Sequence, residues 1–455
     1  MCDFYLSSNL HGSVQTDQSK ILFSPENNEE NEIINIYPDV CFQTFEGFGG
    51  AITDSSGYVF SLMNSIQKEQ LLHQYFSAGE MNYQFVRIPI DSCDFSVDMY
   101  EAMSDPDDTE LKSFSFARTE KYILPMLKAA QQTAPQPLKL MLTPWTPPAF
   151  MKTNHDRCHG GCLKPEYRSL WAKYICRYIT EFRMRGWQVN RVSIQNEPHA
   201  VQKWESCLFS AEEEKTFLRD FLYPELLTQN LADIEIYIWD HNKERAYERA
   251  KAVIDSRTDE MISGIALHWY SGDHFESLDL LQKDFPDKKL IISESCLEYY
   301  KFGANLSDHS TQNLAHDLAG NMNHGLNAFY DWNLLLDQHG GPNHAGNYCD
   351  APMLYDTSSK QMNKRPSMVY YWHFSHFIHP GAVRIAFSRF TDDIDVTAWK
   401  NPDKSIAIVL LNRNGVSTAC NIRIHEKITK LTLPPYAIGT LVLRSGGSDC
   451  SPELL

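Results

Sequence analysis

The stretch Lys289-Leu290-Ile291-Ile292-Ser293-Glu294-Ser295 decides how the chain folds. Its apolar residues are continuous rather than alternating, which fits a strand covered on both faces, as in a parallel sheet. Seven further segments of this kind lie outward from it, at residues 45–52, 83–90, 138–145, 189–197, 234–241, 262–270 and 326–334. Helix-like stretches separate them. Residues 167–185 set Trp171, Tyr174, Ile175, Tyr178 and Phe182 at helical spacing, and residues 211–229 open on Ser210 with Glu213 three positions later, a capping box. Eight strand–helix alternations are the count of a (β/α)8 TIM barrel, so the expected class is α/β.

The pattern changes near residue 381. Segments 383–387, 396–399, 406–411, 418–424 and 439–443 read as antiparallel strands, separated by turn signals such as Asn401-Pro402-Asp403-Lys404. The expected organisation is a barrel over residues 45–380 and an all-β sandwich over 381–455. Residues 1–44 are strand-like and are expected to join that sandwich.

Composition excludes several function classes. The formal net charge of −17, with no basic stripe, argues against a nucleic-acid partner. No apolar run reaches the roughly 20 residues of a transmembrane helix. Met1-Cys2-Asp3-Phe4-Tyr5 carries no basic region ahead of an apolar one, so no signal peptide is read and a cytoplasmic location is expected. The 11 cysteines are odd in number and scattered, which favours free thiols over a disulfide framework.

Barrel enzymes work at the C-terminal ends of their strands. The fourth segment ends Ile194-Gln195-Asn196-Glu197-Pro198 and the seventh ends Ile292-Ser293-Glu294-Ser295, on strands that face each other across the barrel mouth. Two opposed carboxyls are what retaining glycoside hydrolysis requires, held roughly 5–5.5 Å apart, one attacking the sugar and one shuttling the proton. The nucleophile must stay ionised while its partner keeps a proton. Arg87, following Phe85-Val86 on the second segment, is a candidate counter-charge for the nucleophile. Asn196, beside the acid, can reach a sugar 2-hydroxyl.

At these residues the chain resembles the glucosylceramidase family, glycoside hydrolase family 30. The likeness runs through Gly47-Phe48-Gly49-Gly50-Ala51-Ile52-Thr53-Asp54, Arg87-Ile88-Pro89, Ser92-Cys93-Asp94-Phe95-Ser96 and Pro144-Trp145-Thr146-Pro147-Pro148. It continues in Asn196-Glu197-Pro198, His268-Trp269-Tyr270, Ser293-Glu294-Ser295-Cys296, Asp331-Trp332-Asn333-Leu334 and Gly340-Gly341-Pro342-Asn343. The resemblance implies a barrel with an attached sandwich that hydrolyses β-glycosides with retention, Glu197 being the acid/base and Glu294 the nucleophile. It implies that Asp94, Trp145, Asn196, Trp332 and Asn343 hold the sugar, and that Arg87, His268 and Tyr270 support the nucleophile or line the pocket. The expected partner is a β-glycoside, either a small molecule or oligosaccharide or a glycolipid, with no cofactor. Terminal β-glucosides are the first expectation, and β-xylosides and β-1,6-glucan are the alternatives within the family. A non-catalytic sugar-binding protein would lack one glutamate, and both are present.

Two features depart from the family's lysosomal members. The loop Val201-Gln202-Lys203-Trp204-Glu205-Ser206-Cys207, bordering the aglycone side, is short and polar, and no signal peptide is read. With these departures short oligosaccharides or plant glycosides fit at least as well as ceramide as the natural aglycone. His155-Asp156-Arg157-Cys158-His159-Gly160-Gly161-Cys162 has spacings that zinc could use, but the reaction needs no metal and none is assigned. Gly47, Gly49 and Gly50 are not followed by the Lys-Ser/Thr of a phosphate loop.

Overall fold

The computed structural model describes residues 2–8, 15–306 and 308–444. Eight parallel strands close into a barrel, with the last pairing with the first. They are Gly47–Ala51, Phe85–Ile90, Lys139–Pro144, Gln188–Ser193, Glu235–Asn242, Gly264–His268, Lys289–Glu294 and Leu326–Asp331. All eight expected segments are strands, with ends that differ by a few residues. The largest difference is in the fourth, which stops at Ser193. Ile194, Gln195 and Asn196 stay buried after pairing ends, so they read as strand although they are not. Glu197 therefore sits beyond the strand, in a backbone turn with φ 45°.

The barrel is packed rather than hollow. Phe85, Met141, Tyr237, Ala266, Ile291, Ala328 and Tyr330 form a layer inside it. At the N-terminal ends of the strands Arg191, 3% exposed, is ion-paired to Glu46 and Glu235, and Lys289 bridges the same two carboxylates at 2.7 and 2.5 Å. Charge is thus compensated where the floor of the barrel closes. The glycines of the first strand allow close approach: a Cβ on Gly49 would stand 2.3 Å from the Phe85 carbonyl oxygen.

The helices form where expected. Arg168–Met184 buries Trp171, Tyr174, Ile175, Tyr178 and Phe182. The capping box at Ser210 is present, with Glu213 N–H donating to Ser210 Oγ at 3.2 Å and Ser210 N–H donating to Glu213 Oε2 at 2.8 Å. The helix it starts is not uniform. Ala211–Phe217 gives way to a wider π turn at Leu218–Leu222 before Tyr223–Thr228. Pro224 has no N–H to donate to the preceding turn, and the register loosens just ahead of it.

A ten-stranded sheet forms the second unit. Its C-terminal strands are Val383–Arg389, Ile394–Lys400, Ile406–Asn412, Thr418–Ile424, Lys427–Leu433 and Ile438–Leu443. Cys2–Ser8, Gln15–Ile21, Ser24–Pro25 and Ile33–Thr44 join them from the N-terminal end of the chain. Lys427–Leu433 was not among the expected strands, because Lys430 and Thr432 alternate outward and break any apolar run. The apolar faces of strands far apart in the sheet meet in one core that includes Phe4, Ile36, Val396, Ile408, Ile422 and Leu441.

The chain enters and leaves the barrel at one place. Phe45 N–H donates to Ala382 O at 2.8 Å, and Gly381 N–H donates to Phe45 O at 2.7 Å. The last barrel-side helix, Pro366–Ser375, is pinned to the sandwich by His373. This fully buried ring bonds Thr440 Oγ1 and Ser7 Oγ, each at 2.8 Å. Burial, with a smaller contribution from His376, pushes the His373 pKa down to about 3 from its ordinary 6.5. The unfolded chain therefore takes up a proton that the native state refuses between these two values. The stability from neutral His373 is complete above pH 6.5 and declines as pH falls, by about 1.4 kcal/mol per unit. In chemical denaturation at pH 7 and pH 5, His373→Gln should show a shallower loss of stability than the wild-type protein. Equal losses would rule out this origin of acid sensitivity.

Candidate active site

A pocket of about 440 Å³ opens at the C-terminal mouth of the barrel. Asp94, Trp145, Asn196, Glu197, Tyr270, Glu294 and Trp332 all line it. Arg87 and His268 lie directly beneath, both fully buried. Strand ends contribute nearly all of these side chains, because the barrel converges them from segments remote in sequence.

Arg87 links the two sides of the pocket. Its Nη1 donates to Glu294 Oε2 at 2.5 Å, and its Nη2 donates to Asp240 Oδ2 at 3.0 Å and to Asn196 Oδ1 at 2.9 Å. Nε donates to Thr143 Oγ1 at 3.3 Å. The guanidinium faces the stacked rings of Trp145 and Trp332, 4.9 and 5.4 Å from their centroids. Burial opposes its charge, yet Asp240 and Glu294 outweigh that and raise its pKa further. The second oxygen of Glu294 accepts from the Tyr270 hydroxyl at 2.7 Å. Both carboxylate oxygens are therefore held by donors, an arrangement that suits an anion facing the cavity.

On the opposite wall Glu197 meets His268. His268 Nδ1 lies 3.4 Å from Glu197 Oε1, and Nε2 lies 3.0 Å from Asp240 Oδ1. Burial disfavours the imidazolium, but Glu294, Asp240 and Glu197 surround it and push its pKa up to about 9. Burial likewise works against the Glu197 carboxylate, and His268 and His241 overcome it to hold the group low. Asp240 is also held well below the carboxylate range: Arg87, His268 and a serine hydroxyl outweigh its burial. A bulge between Leu267 and His268 shifts the sixth strand's register so that His268 pairs opposite Glu294.

Several non-glycine residues at these strand ends take positive φ: Asp91 61°, Glu197 45°, Trp239 73°, Asp240 48° and Asn333 56°. Each such conformation costs about 1–3 kcal/mol and persists where bonds over-determine it. Glu197 N–H donates to Asp240 O at 2.9 Å, and Trp239 N–H to Glu214 Oε1 at 3.0 Å.

Asp94 receives two amides, Asn347 Nδ2 at 3.0 Å and Asn343 Nδ2 at 3.3 Å. Burial lifts its carboxyl to about 7, with Asn347 pulling it down and the Glu294 charge pushing it back up. Asn343 departs from its expected place. Its Oδ1 accepts from Ala345 and Asn347 N–H, and its Nδ2 also donates to Asn347 O, so it shapes the loop behind Asp94. Asn347 is the residue that reaches the pocket wall.

Asp240 and Asn347 were missed by the sequence reading. Asp240 was findable, since it lies at the end of the expected fifth strand in Trp239-Asp240-His241. Asn347 gave no signal, being one polar residue in a loop. In the His155–Cys162 loop, His159 pairs with Asp156 at 2.9 Å, and the Cys158 sulfur faces Met99 at 3.8 Å. Among the described residues no three His, Cys, Asp or Glu side chains converge as a metal site.

Arg87→Met would leave Glu294 and Asp240 buried without their cation. The expected cost is on the order of 3–5 kcal/mol of stability, with loss of nearly all activity. Arg87→Lys should recover part of the stability but little activity, because an ammonium has three N–H donors and cannot serve four acceptors in the fixed plane of a guanidinium. A thermal melt and an activity assay test this, and wild-type activity in Arg87→Lys would refute it.

Comparison with known proteins identifies the family of the two units. Residues 45–378 match the glycosyl hydrolase family 30 TIM-barrel domain, and residues 381–441 match that family's beta sandwich domain. The chain is 31% identical to putative glucosylceramidase 1 of Caenorhabditis elegans over 427 residues, covering 89% of this chain and 82% of the relative. The crystal structure of SrfJ from Salmonella typhimurium is similar with a TM-score of 0.93 and 37% identity, over 98% of this chain and 100% of that one. The endo-β-1,6-glucanase BT3312 is similar with a TM-score of 0.85 and 27% identity, over 98% and 99% of the two chains. With both of its units matched in order, the chain belongs to glycosyl hydrolase family 30.

Proposed function

We propose that this chain is a retaining β-glycosidase acting on terminal β-glucosides, with Glu294 as nucleophile and Glu197 as acid/base. The observation that carries the reading is the unequal treatment of two carboxylates in one pocket. Glu294 is clamped by Arg87 and Tyr270, while Glu197 is met by His268, a proton carrier. A fixed anion suits attack on the anomeric carbon, and a carboxylate beside a titratable ring suits proton traffic.

In the first step a Glu294 oxygen bonds to the anomeric carbon as the glycosidic C–O bond breaks. Glu197 is ionised in the resting pocket, so the proton it passes to the leaving oxygen comes from the His268 imidazolium, whose Nδ1 lies 3.4 Å from Glu197 Oε1. In the second step ionised Glu197 takes a proton from water, whose oxygen displaces Glu294 and restores the β configuration. Asn196, held by Arg87, presents its amide to the sugar 2-hydroxyl. Asp94 accepts from hydroxyls on the far edge, and Trp145 and Trp332 offer ring faces.

Glucose as the sugar is supported by the relatives. A putative glucosylceramidase and an endo-β-1,6-glucanase differ in what is attached to glucose, yet both names specify a glucosyl unit. The same β-1,6-glucanase likeness makes a glucan the second reading.

Glu294→Gln should abolish turnover, because an amide cannot serve as the nucleophile. Activity within tenfold of wild type would sink the assignment, as would an initial α-anomer product seen by NMR from a β-substrate. Glu197→Ala should slow substrates with poor leaving groups by at least about 100-fold more than an activated aryl β-glucoside, whose departure needs no proton. Comparable losses on both would reduce Glu197 to a binding role.

A further inference from the structure

Glu205 is an acid turned away from water on a loop that borders the pocket. It follows Gln202, Lys203 and Trp204, which line the cavity, yet its own side chain is fully buried. Its backbone bridges Cys158, and Ser206 N–H donates to Arg157 O at 3.0 Å, which holds the inward orientation. Three loops meet at the Glu205 carboxylate. Oε1 accepts from the Ser92 hydroxyl, on the loop after the second strand. Oε2 faces His344 Nε2 at 3.0 Å, on the loop that follows the eighth. Both groups within reach of that nitrogen, Glu205 Oε2 and Cys93 O at 3.1 Å, are acceptors, so the nitrogen must donate. Burial disfavours the His344 imidazolium, and Glu205 more than restores it, lifting its pKa above the ordinary 6.5. Burial raises the Glu205 carboxyl in turn, and His344 leads the groups that pull it below its ordinary value.

The His344 loop also carries the amides on Asp94. Asn343 stands next to His344 and Asn347 three residues on, and both amides land on Asp94 Oδ2. That leaves Oδ1 of a residue lining the pocket for a sugar hydroxyl. Inside the segment 343–347, Ala345 and Asn347 N–H donate to Asn343 Oδ1 and Gly346 N–H donates to Asn343 O. These bonds fix the shape of the segment but not its distance from Asp94. Its ends are anchored by Ser55 Oγ donating to Pro342 O and by Tyr299 N–H donating to Tyr348 O. Between the anchors, and apart from the two amides, His344 makes the hydrogen bonds that reach the rest of the chain, among the described residues. One of them ends on Cys93 O, in the peptide that leads into Asp94 itself.

We infer that His344, paired with buried Glu205, is a positioning residue for Asp94. It clamps the segment 343–347 against the Cys93–Asp94 peptide, so that the two amides occupy Oδ2 and turn Oδ1 to the substrate. Neither His344 nor Glu205 lines the pocket, so both act through Asp94. The inference rests on the β-glucosidase reading for what Asp94 holds, and on the geometry alone for the clamp. A charge-assisted bond to a buried carboxylate fixes direction as well as distance. Misplacing a group that orients substrate by about 1 Å costs up to about 100-fold in rate, which sets the scale of the effect.

The test measures kcat/KM on nitrophenyl β-glucoside for His344→Ala, for His344→Gln, and for His344→Ala added to Asp94→Ala. A crystal structure of His344→Ala accompanies it. His344→Ala should lose at least about tenfold. His344→Gln, whose amide donates where Nε2–H did, should keep more than about a third of wild-type activity. With Asp94→Ala no carboxylate remains to be oriented, so adding His344→Ala should cost less than about twofold. A loss of the same size in both backgrounds overturns the inference. In the crystal, Asn347 Nδ2 should stand more than about 3.5 Å from Asp94 Oδ2, beyond hydrogen-bonding reach. That bond kept at 3.0 Å overturns the clamp. Should His344→Ala fail to fold, Glu205→Gln takes its place, with a loss of at least about threefold expected and wild-type kinetics overturning the inference. The crystal measurement needs no substrate. Wild type inert on every β-glucoside would therefore overturn the functional reading, while the clamp is judged on that distance.

Discussion

The Arg87 guanidinium lies wholly buried between Glu294 and Asp240, and the chemistry of the pocket depends on that placement. A permanent positive charge in a region of low dielectric is tolerable only with full compensation. Here compensation comes from two carboxylates on the fifth and seventh strands and an amide after the fourth. One requirement, to satisfy Arg87, therefore draws Glu294, Asp240 and Asn196 to a common point. Asp240 passes the constraint on to His268, and His268 to Glu197, so both proposed reacting groups hang from one network.

The surroundings of that network show why it can be held so tightly. The interior below is filled by Phe85, Tyr237, Tyr330 and their neighbours, and the floor is closed by Arg191 with Glu46, Glu235 and Lys289. A close-packed interior is nearly incompressible and gives the strand ends a rigid base, on which left-handed residues such as Glu197 and Asp240 can be held. The sandwich meets the barrel where the chain enters and leaves it, at the buried His373, and where His316 and Asn323 bond Asp395 and Val396, and none of its described residues lines the pocket. Its strands come from both ends of the chain, so the barrel is inserted within the sandwich in sequence.

The pocket divides by chemistry. Asp94, Asn196 and the two stacked tryptophans offer a sugar-sized arrangement of acceptors, donors and ring faces. Glu298, Tyr300 and the loop carrying Gln202 to Trp204 form a second polar wall. Trp145 and Trp332 also lie against Arg87, so the rings that would face sugar are the same rings that help hold the cation.

The sequence by itself determined the architecture and singled out the two glutamates proposed to react. Continuous apolar runs such as Leu290–Ile292 can only be covered on both faces, and eight of them with helices between leave the barrel as the closed solution. A glutamate ending such a run is carried to the mouth by geometry, which made Glu294 legible, and Glu197 was legible in the same way although its strand stops at Ser193. Only the tertiary structure decided what surrounds them. That Asp240 joins Arg87 to His268, that Asn343 shapes a loop while Asn347 reaches the wall, and that His344 meets Glu205 all depend on register shifts, loop paths and side-chain directions. These arise from contacts between segments scores of residues apart. Local periodicity reports which face of a segment is buried, not which distant side chain it will meet there.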